Sequence, residues 1–367
     1  MGPKIDRNDS VSEPTFSRNG VSLFYGDAKS FYSKWNPPTV IVSDGPYGLR
    51  NFYNDLGTPE EMPEWYESHI KAWSERAKPN TTLWFWNSEV GWAVVHPILV
   101  KYGWKYVACN VWDKGKAHVA GNVNTKTMRR FPVVTEVCVQ YVRDVEVNGM
   151  KLKDWVRHEW GRSGIPFSRT NKIAGVKDAA TRKWFDKGWL WYFPPPEAMG
   201  KLVDYANVHG KPSGRPYFSL DGKNPVTADE WNDMRAKFRL PYGINNVWRA
   251  PPVNGKERVK IRGQNVHLNQ KPLNFMKLVI NVSSDPGDVV WEPFGGLCTA
   301  AIASLLLKRK CFSSEIEPHF YNLAVERLKG PYEGYETTED YWRPQPQNPQ
   351  SKLHQIQSGH ITLSGTA

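Results

Sequence analysis

The chain has 367 residues, of which 40% are hydrophobic, so it is long enough for one large domain with an insert or for two domains. No apolar run reaches the roughly 18 residues that a transmembrane helix needs, and the charged N-terminus lacks the apolar stretch of a secretory signal, so we expect neither a membrane nor a secreted protein. The net charge of +11, with 17 tryptophans and 16 tyrosines, suits a polyanionic partner, although charge alone fits a basic soluble protein equally well.

Strands and helices are predicted to alternate over residues 21–144, after a flexible lead at residues 1–20. Runs of β-branched and aromatic residues indicate strands, and apolar residues at spacings of three and four indicate helices. In chain order the elements are strand VSLFYGD, a short helix AKSFYSKW, strand TVIVS, helix EEMPEWYESHIKAWSERA, strand TTLWFWN, helix SEVGWAVVHPILVKYG and strands WKYVACNVWDKG and FPVVTEVCVQYVR. This alternation predicts an α/β fold with a mainly parallel, twisted sheet covered by helices on both faces.

The pattern changes over residues 145–265, where prolines, glycines, arginines and tryptophans cluster and periodicity is weak, so we expect a loop-rich insert. The α/β pattern returns over residues 266–329, and the Pro- and Gln-rich residues 330–367 are predicted to form a flexible tail. The four cysteines have no CxxC spacing, so we predict neither a disulfide framework nor a metal site, and a reducing cytoplasm fits best.

Two turns at strand ends carry residues suited to binding and chemistry. The first follows strand TVIVS and holds an acid and an aromatic residue on a rigid turn, in the order Asp44, Gly45, Pro46 and Tyr47. Glycine and proline are turn-forming residues, so we expect the turn to lift the tyrosine out of the core.

The second turn lies between strand DVVWE and helix AAIASLLLKR, and its Gly295 and Gly296 would let a ligand approach the backbone. Glu315 follows Gly295 by 20 residues, at the end of the next strand, where an acid accepts hydrogen bonds from ribose hydroxyls. The full GxGxxG pattern is absent, so an ordinary βαβ unit is the alternative, and the lack of a GxxxxGKS/T motif argues against a nucleoside triphosphatase. Because both turns follow strands of one predicted sheet, we expect them to share a site.

The order of these motifs resembles the amino-group DNA methyltransferases that use S-adenosylmethionine, in the permuted order called the β group. That family has an early D/S-P-P-Y/F turn, a late F-x-G-x-G cofactor turn and an N-x-K-P-like segment just before it. The matching segments here are DGPY at 44–47, FGGLC at 294–298 and HLNQKPLNFMKLVI at 267–280. The resemblance covers about residues 21–143 and 265–328, and it implies a Rossmann-like methyltransferase fold with a DNA-recognition insert. Three positions depart from the pattern: Gly45 replaces a proline, Cys298 a glycine and Glu292 an aspartate.

The resemblance also implies a role for each motif. Asp44 would accept hydrogen bonds from the exocyclic amino group of the target base, the Gly45 carbonyl would add a second acceptor, and Tyr47 would stack on the base; the catalytic turn as a whole is Asp44, Gly45, Pro46 and Tyr47. The residues expected to bind the cofactor are Asp27, Asn269, Lys271, Glu292, Phe294, Gly295, Gly296 and Glu315. Asp27 would serve equally well as a strand-end cap, and Cys298 is expected to pack in the core rather than to sense redox state.

The resemblance further implies that the base is flipped out of duplex DNA. The residues predicted to contact DNA are Arg129, Arg130, Arg157, Arg162, Arg169, Arg182 and Lys183. Aspartate at the first turn position accompanies adenine N6 in this family, and serine or threonine accompanies cytosine N4. Asp44 therefore favours adenine, and the adjacent Ser43 keeps cytosine N4 as the alternative. No cysteine follows a proline, which excludes a C5-cytosine enzyme.

We therefore expect a site-specific methyltransferase of double-stranded DNA, either the modification partner of a restriction endonuclease or a solitary bacterial, archaeal or phage enzyme. It would be a cytoplasmic monomer or weak homodimer without a membrane partner. An RNA or protein amino methyltransferase is a related alternative, but its motifs usually occur in the reverse order. A non-catalytic nucleic-acid binder and a nicotinamide-dependent oxidoreductase are the alternatives from other classes. Binding of S-adenosylmethionine tests the first of these, and titration with NADH tests the second.

Overall fold

The computed structural model describes residues 13–49, 56–115, 129, 131–177, 180–186, 188, 190–266 and 269–332. Within these residues the helices are α1 (Met62–Arg76), α2 (Glu89–Lys101), α3 (Leu152–Ser163), α4 (Thr170–Ala174), α5 (Ala180–Trp184), α6 (Pro196–His209), α7 (Ala228–Asn232), α8 (Leu273–Ser283), α9 (Thr299–Leu306) and α10 (Pro318–Lys329). The strands are β1 (Phe16–Arg18), β2 (Val21–Tyr25), β3 (Val40–Ser43), β4 (Thr82–Asn87), β5 (Trp104–Asp113), β6 (Thr135–Arg143), β7 (Glu146–Val147), β8 (Met150–Lys151), β9 (Val247–Arg249), β10 (Lys260–Ile261), β11 (Gln264–Asn265), β12 (Val289–Glu292) and β13 (Lys310–Glu315).

Nine of the described strands form one sheet, in the order β1-β2-β13-β12-β3-β4-β6-β5-β9. The consecutive pairs from β2 to β4 are parallel, whereas β6 runs antiparallel to both of its neighbours and β1 runs antiparallel to β2. Parallel strands in the centre of a sheet must be joined by crossover connections, and most of these connections contain helices here. The predicted Rossmann-like α/β fold is confirmed.

Strand β4 shows how the two helical layers cover the sheet. All of its residues are buried. Trp84 and Trp86 belong to the core cluster that contains residues of α8 and α9, whereas Leu83 and Phe85 belong to the cluster that contains residues of α1 and α2. Alternate side chains of a strand point to opposite faces, so a strand buried on both faces reads as a continuous apolar run.

Three neighbouring strands end at the same edge of the sheet and thereby position the site. β12 pairs in parallel with both β13 and β3, so the three strands run side by side in one direction. The turn that begins with Asp44 follows β3, the glycine turn follows β12, and Glu315 is the last residue of β13. Ligands of open α/β sheets bind at such carboxyl ends.

The predicted insert is rich in loops, as expected, but its helices α3 to α7 also form a folded unit that the sequence analysis did not predict. Residues 147–234 enclose a core of their own, in which Trp155, Trp160 and Phe218 are fully buried. The carboxylate of Glu159 is also fully buried there, and it pairs with Arg162 at 2.7 Å and with Arg215 at 2.5 Å. Farther along the predicted insert, β9 leaves this core and extends the main sheet beside β5.

Two smaller predictions are wrong. Part of the expected N-terminal lead forms β1, which pairs with β2 at the sheet edge. The expected helix AKSFYSKW is a 3-10 turn at Ala28–Ser30 followed by further turns, and Phe31, Tyr32 and Trp35 are buried in the core. The predicted tail beyond residue 332 lies outside the described residues. No described helix has both the length and the apolar character that crossing a membrane would require.

Candidate active site

A cavity of about 470 Å³ lies where β13, β12 and β3 end, and both predicted turns line it. The catalytic turn contributes residues 44–47 to its wall, and the glycine turn contributes residues 294–297. Asn269, Lys271 and Glu315 line it as well. Its volume falls within the range of about 300–1,000 Å³ that is usual for small-molecule sites.

The carboxylate of Asp44 is paired with an ammonium group. Nζ of Lys271 lies 2.8 Å from Oδ1 of Asp44, and the hydroxyl of Tyr47 donates a hydrogen bond to the same oxygen at 3.1 Å. Burial raises the pKa of Asp44 above its ordinary value, and Lys271 offsets part of this increase. The side chain keeps 23% of its surface exposed, so it is accessible from the cavity.

Lys271 lies between two carboxylates rather than on the surface. It is 2% exposed, and its Nζ is 3.4 Å from Oε2 of Glu136. Lys114 forms an ion pair with the other oxygen of Glu136. Burial lowers the pKa of Lys271, but Asp44 and Glu136 together outweigh that effect and raise it. The resemblance assigned Lys271 to the cofactor, whereas its ion pairs are with Asp44 of the catalytic turn and Glu136 of β6.

Glu136 and Lys114 were missed in the sequence. Glu136 is 7% exposed and lies in β6, between residues that are otherwise apolar or weakly polar. A lone acid in such a buried strand needs a cationic partner, which is the signal that the sequence offered. Although burial raises the pKa of Glu136, Lys271 and Lys114 outweigh it and lower the pKa.

The backbone does not require glycine at position 45, since φ there is not positive, but the limited space around it does. A Cβ atom at this position would lie 2.5 Å from Oη of Tyr66 and 2.8 Å from Cδ2 of Phe294. The Phe294 ring packs in turn against Trp65 and His69, with ring centroids 5.2 and 5.0 Å apart. Phe294 of the cofactor turn therefore occupies the space that the family's first proline would need.

Tyr47 is 5% exposed, so the expectation that the turn lifts it out of the core is wrong. Its hydroxyl donates to Asp44 and lies 3.3 Å from Oε2 of Glu136, and Nζ of Lys271 is 5.0 Å from its ring centroid. These polar partners make burial of the hydroxyl favourable. Burial raises the pKa of Tyr47 well above 10.0, which keeps the hydroxyl a neutral donor.

The carbonyl of Pro46 fixes the shape of the turn. It accepts a hydrogen bond from Nδ2 of Asn87 at 3.0 Å and one from the hydroxyl of Tyr66 at 3.3 Å. Asn87 is the last residue of β4, and Tyr66 lies on α1. The turn is therefore held from the neighbouring strand and from the helical layer, which gives Asp44 a defined position.

Glu315 faces the glycine turn at the end of β13. Its Oε2 accepts a hydrogen bond from the backbone N–H of Gly296 at 2.6 Å, and its Oε1 accepts one from the N–H of Glu317 at 2.7 Å. The residue is 8% exposed, and burial raises the pKa of its carboxyl to about 7 despite these bonds. Each carboxylate oxygen retains acceptor capacity, as binding of two ribose hydroxyls requires.

Glu292 holds the first turn of α9. Its carboxylate accepts hydrogen bonds from the N–H groups of Ala300 at 2.7 Å and Ala301 at 3.0 Å, and from the hydroxyl of Ser313 at 2.8 Å. Burial raises the pKa of Glu292 to about 8, although these donors lower it in part. Glu292 lines the cavity, but its hydrogen bonds to Ala300, Ala301 and Ser313 stabilise the cofactor turn from within.

Cys298 packs in the core, as predicted. It is fully buried, its Sγ lies 3.5 Å from Oγ of Ser313, and burial raises the pKa of its thiol well above 9.0. Its φ of 55° lies in the left-handed region that glycine adopts without strain. This explains why the family has a glycine at the position.

The chemistry of the cavity fits S-adenosylmethionine. Three carboxylates, those of Glu292, Glu315 and Glu317, line the part near the glycine turn, and an acidic wall suits a ligand with a sulfonium and an ammonium charge. Phe294 and Phe320 add apolar surface for a base or a thioether. An acid rather than an arginine at the strand end also favours a ribose without a 2′-phosphate.

Two predicted cofactor residues make contacts that the sequence left open. Oδ1 of Asp27 accepts a hydrogen bond from the N–H of Lys29 at 2.9 Å, which caps the short 3-10 turn, and Asp27 does not line the cavity. The strand-end cap is therefore the role that the described contacts support. Asn269 does line the cavity, and its carbonyl accepts a hydrogen bond from Nζ of Lys271 at 3.3 Å.

The residues predicted to contact DNA fall into two groups. Arg157 and Arg162 donate hydrogen bonds inside the insert, to the Phe185 carbonyl at 2.6 Å and to Glu159 at 2.7 Å. The residues with exposed side chains are Arg129, Arg169, Arg182 and Lys183. Arg169 lines a groove on α4 and α6 together with Lys172 and Lys201. Arg130 lies outside the described residues.

Comparison with known proteins agrees with this geometry. The DNA methylase family model matches residues 39–326. The chain is 23% identical to the type II methyltransferase M.HindIII of Haemophilus influenzae over 75% of this chain and 71% of that protein. It is 24% identical to M.BglII of Bacillus subtilis over 80% of this chain and 64% of that protein. The solved structure of PvuII DNA methyltransferase aligns with a TM-score of 0.51 at 13% identity, over 95% of this chain and 97% of that one, which shows a shared fold.

The match to the family model covers most of the chain, so the chain belongs to the DNA methylase family of adenine-N6 and cytosine-N4 methyltransferases. It is an S-adenosylmethionine-dependent DNA amino methyltransferase, and the predicted family, enzyme class and cofactor are confirmed.

Proposed function

We propose that this DNA methylase transfers a methyl group to the N6 amino group of adenine at a specific site in double-stranded DNA, after the base has flipped out of the duplex. One observation carries the proposal: Asp44 lies on a turn in the wall of the same cavity as Glu315 and the glycine turn. An acceptor for an amino group is thereby placed next to a site suited to a ribosyl cofactor.

The target nitrogen is a poor nucleophile because its lone pair is delocalised into the base. Asp44 accepts one of its N–H bonds and the Gly45 carbonyl accepts the other, so the nitrogen is drawn toward tetrahedral geometry and its lone pair becomes available. Bound S-adenosylmethionine supplies an electrophilic methyl group on its sulfonium. Most of the rate enhancement would then come from positioning and from preorganised acceptors.

As the N–C bond forms, the bond between the methyl group and sulfur breaks and its electron pair stays on sulfur, so the positive charge passes to the amino group, which loses it by releasing a proton. Asp44 contacts this group in the proposed pose, so its carboxylate is the first acceptor for that proton. Burial raises the pKa of Asp44, and a carboxylate with a raised pKa is a better base near neutral pH than an exposed one.

Adenine is proposed over cytosine because Asp44, rather than Ser43, faces the cavity. Ser43 is fully buried in β3 and does not line the cavity, which argues against a shifted turn that would present its hydroxyl to the base. A relative from Escherichia coli that is named a DNA adenine methyltransferase is 34% identical over 100 residues, or 26% of this chain. PvuII DNA methyltransferase is named as cytosine-N4-specific, but its likeness extends only to the fold.

The flipped base costs a few kcal/mol to extract from the stack. Tyr47 lines the cavity and is proposed to return part of that cost by stacking on the base. Arg169, Arg182 and Lys183 are the exposed cations of the insert proposed to hold the DNA backbone. Arg157 and Arg162 are proposed to support the insert instead, since their guanidinium groups already bond within it.

The relatives named as type II methyltransferases suggest the biological setting. We extend the proposal to a cytoplasmic modification enzyme that protects DNA from a restriction endonuclease of the same specificity. Methylation of chromosomal DNA at one sequence, together with resistance of that DNA to one nuclease, would support this setting.

The proposal is tested by methyl transfer from labelled S-adenosylmethionine to mixed-sequence duplex DNA, followed by nucleoside digestion and mass spectrometry. N6-methyladenine is the expected product, and N4-methylcytosine would overturn the choice of base. Unmarked DNA with intact cofactor binding would overturn the DNA substrate. Asp44→Ala should abolish turnover without weakening cofactor binding, whereas Asp154→Ala, at an exposed aspartate of α3, should keep full turnover.

A further inference from the structure

One oxygen of the Asp44 carboxylate, Oδ1, already has two protein donors. Oδ1 is 2.8 Å from Nζ of Lys271 and receives the hydroxyl of Tyr47 at 3.1 Å. A carboxylate oxygen with two donors has little capacity left for a third. A base amino group that binds there must therefore displace at least one of them.

Both displaced donors have a second carboxylate within reach. Oε2 of Glu136 is 3.4 Å from Nζ of Lys271 and 3.3 Å from the hydroxyl of Tyr47, so the two donors are shared between Asp44 and Glu136. A shift of a few tenths of an ångström would complete both bonds to Glu136.

The charges in this cluster balance, which makes such an exchange inexpensive. Asp44 and Glu136 carry the two negative charges, and Lys114 and Lys271 carry the two positive ones. Lys271 is 2% exposed and Glu136 is 7% exposed, so an unpaired charge at either would be costly. If Lys271 moves from Asp44 to Glu136, it stays paired throughout. Lys114 holds the other oxygen of Glu136 and keeps that carboxylate in place.

We propose that the target amino group binds Oδ1 of Asp44, and that Glu136 is a positioning residue that then takes over the hydrogen bonds of Lys271 and Tyr47. Glu136 then leaves the Asp44 carboxylate free to accept the N–H of the base, while the neighbouring lysine and tyrosine remain satisfied. This inference rests on the proposed function, because it takes Asp44 as the acceptor of the amino group.

The test is Glu136→Gln, assayed as methyl transfer to duplex DNA with full-length protein. Loss of the negative charge leaves Lys271 paired with Asp44 alone, so kcat should fall by about tenfold or more, while the Kd of S-adenosylmethionine stays within about twofold. The charge of Glu136 is one cause that raises the pKa of Asp44. The acidic limb of the kcat–pH profile should therefore move to lower pH, which a merely structural role would not produce.

A second variant tests the competition directly. In Glu136→Gln/Lys271→Met, the donor that occupies Asp44 is gone and Asp44 and Lys114 still balance in charge, so kcat should recover relative to Glu136→Gln alone. The matched control is Glu159→Gln, which makes the same change at a buried carboxylate with two cationic partners outside the site. It should lower the melting temperature without moving the acidic limb.

The outcomes separate this inference from the function on which it rests. If Glu136→Gln folds and keeps both kcat and the pH profile of the wild type while Asp44→Ala is inactive, Glu136 has no positioning role and the proposed function stands. If the double variant Glu136→Gln/Lys271→Met is less active than Glu136→Gln alone, the competition for Asp44 is refuted. If Asp44→Ala itself turns over normally, the proposed function fails first, and the role of Glu136 with it.

Discussion

Replacing Gly45 with alanine should damage the site even though the change is a single methyl group. The new Cβ would lie 2.5 Å from Oη of Tyr66 and 2.8 and 2.9 Å from two carbons of the Phe294 ring. Carbon atoms in van der Waals contact are about 3.5–4.0 Å apart, so the neighbours must give way by nearly 1 Å. Phe294 has little freedom to move, because its ring is wedged against Trp65 and His69.

Overpacking of this kind costs about 1–3 kcal/mol. Phe294 belongs to the turn that lines the cofactor side of the cavity, so much of the cost should appear as lost cofactor affinity. If all of it does, the Kd of S-adenosylmethionine rises by about 5- to 150-fold. Gly45→Pro, which restores the family's residue, should be at least as damaging because its ring is larger than one methyl group.

Isothermal titration with S-adenosylmethionine measures the lost cofactor affinity, and thermal melting measures the lost stability of the fold. The control is Gly161→Ala in α3, where a Cβ meets nothing within 4 Å and φ is not positive, and this variant should bind cofactor normally. A Gly45→Ala variant with wild-type cofactor affinity and melting temperature would refute the packing argument. Activity in Gly45→Pro equal to that of the wild type would do the same.

Three further predictions follow from the same contacts. Because the raised pKa of Glu315 is about 7 and the ionised form accepts ribose hydroxyls, cofactor affinity should fall about tenfold from pH 8 to pH 6; titrations should show a flat profile for Glu315→Gln. Arg169→Ala should weaken DNA binding with a smaller salt dependence in fluorescence anisotropy, whereas a changed base preference would contradict a backbone contact. Glu159→Ala should cost about 3–5 kcal/mol in urea unfolding, because Arg162 and Arg215 lose a buried partner; a loss below about 1 kcal/mol would contradict this.

The two turns could be predicted from the sequence because their signals are local. An apolar run followed by Asp44, Gly45 and Pro46, and a glycine pair between a strand and a helix, each fix a strand end without knowledge of the rest of the chain. Their meeting at one cavity followed from the parallel sheet, in which successive strands end at the same edge.

The polar network around Asp44 could not be predicted in this way. Glu136 and Lys271 lie far apart in the chain, and their pairing depends on β6 running antiparallel beside β4. The same network overrode the turn chemistry at Tyr47, since Asp44 and Glu136 supply partners that allow its hydroxyl to be buried. Local residue preferences do not contain this information.

The insert was not predicted to contain helices, for a different reason. Its prolines and glycines dominated the interpretation, although Leu152, Trp155, Val156 and Trp160 recur at helical spacing and form the buried face of α3. The apolar stripe formed by these residues indicates an amphipathic helix, but the charged residues between the tryptophans make the pattern hard to recognise. Glu159 lies on the same stripe, and its pairing with two arginines explains its burial.

The departures from the family motifs are best understood through their neighbours. Gly45 faces the Phe294 ring, which fills the volume that a proline would take. Cys298 adopts a left-handed φ of 55°, and its Sγ lies 3.0 Å from where a Cβ on Gly295 would be, so its thiol occupies space beside that glycine. A non-glycine residue in this conformation costs about 1–3 kcal/mol, which burial of the thiol offsets in part. Gly45 and Cys298 are thus each matched by a packing partner in the cofactor turn, and the backbone that presents Asp44 and Glu315 is kept. The chemistry proposed here therefore depends on the positions of those two carboxylates rather than on strict identity with the family motif.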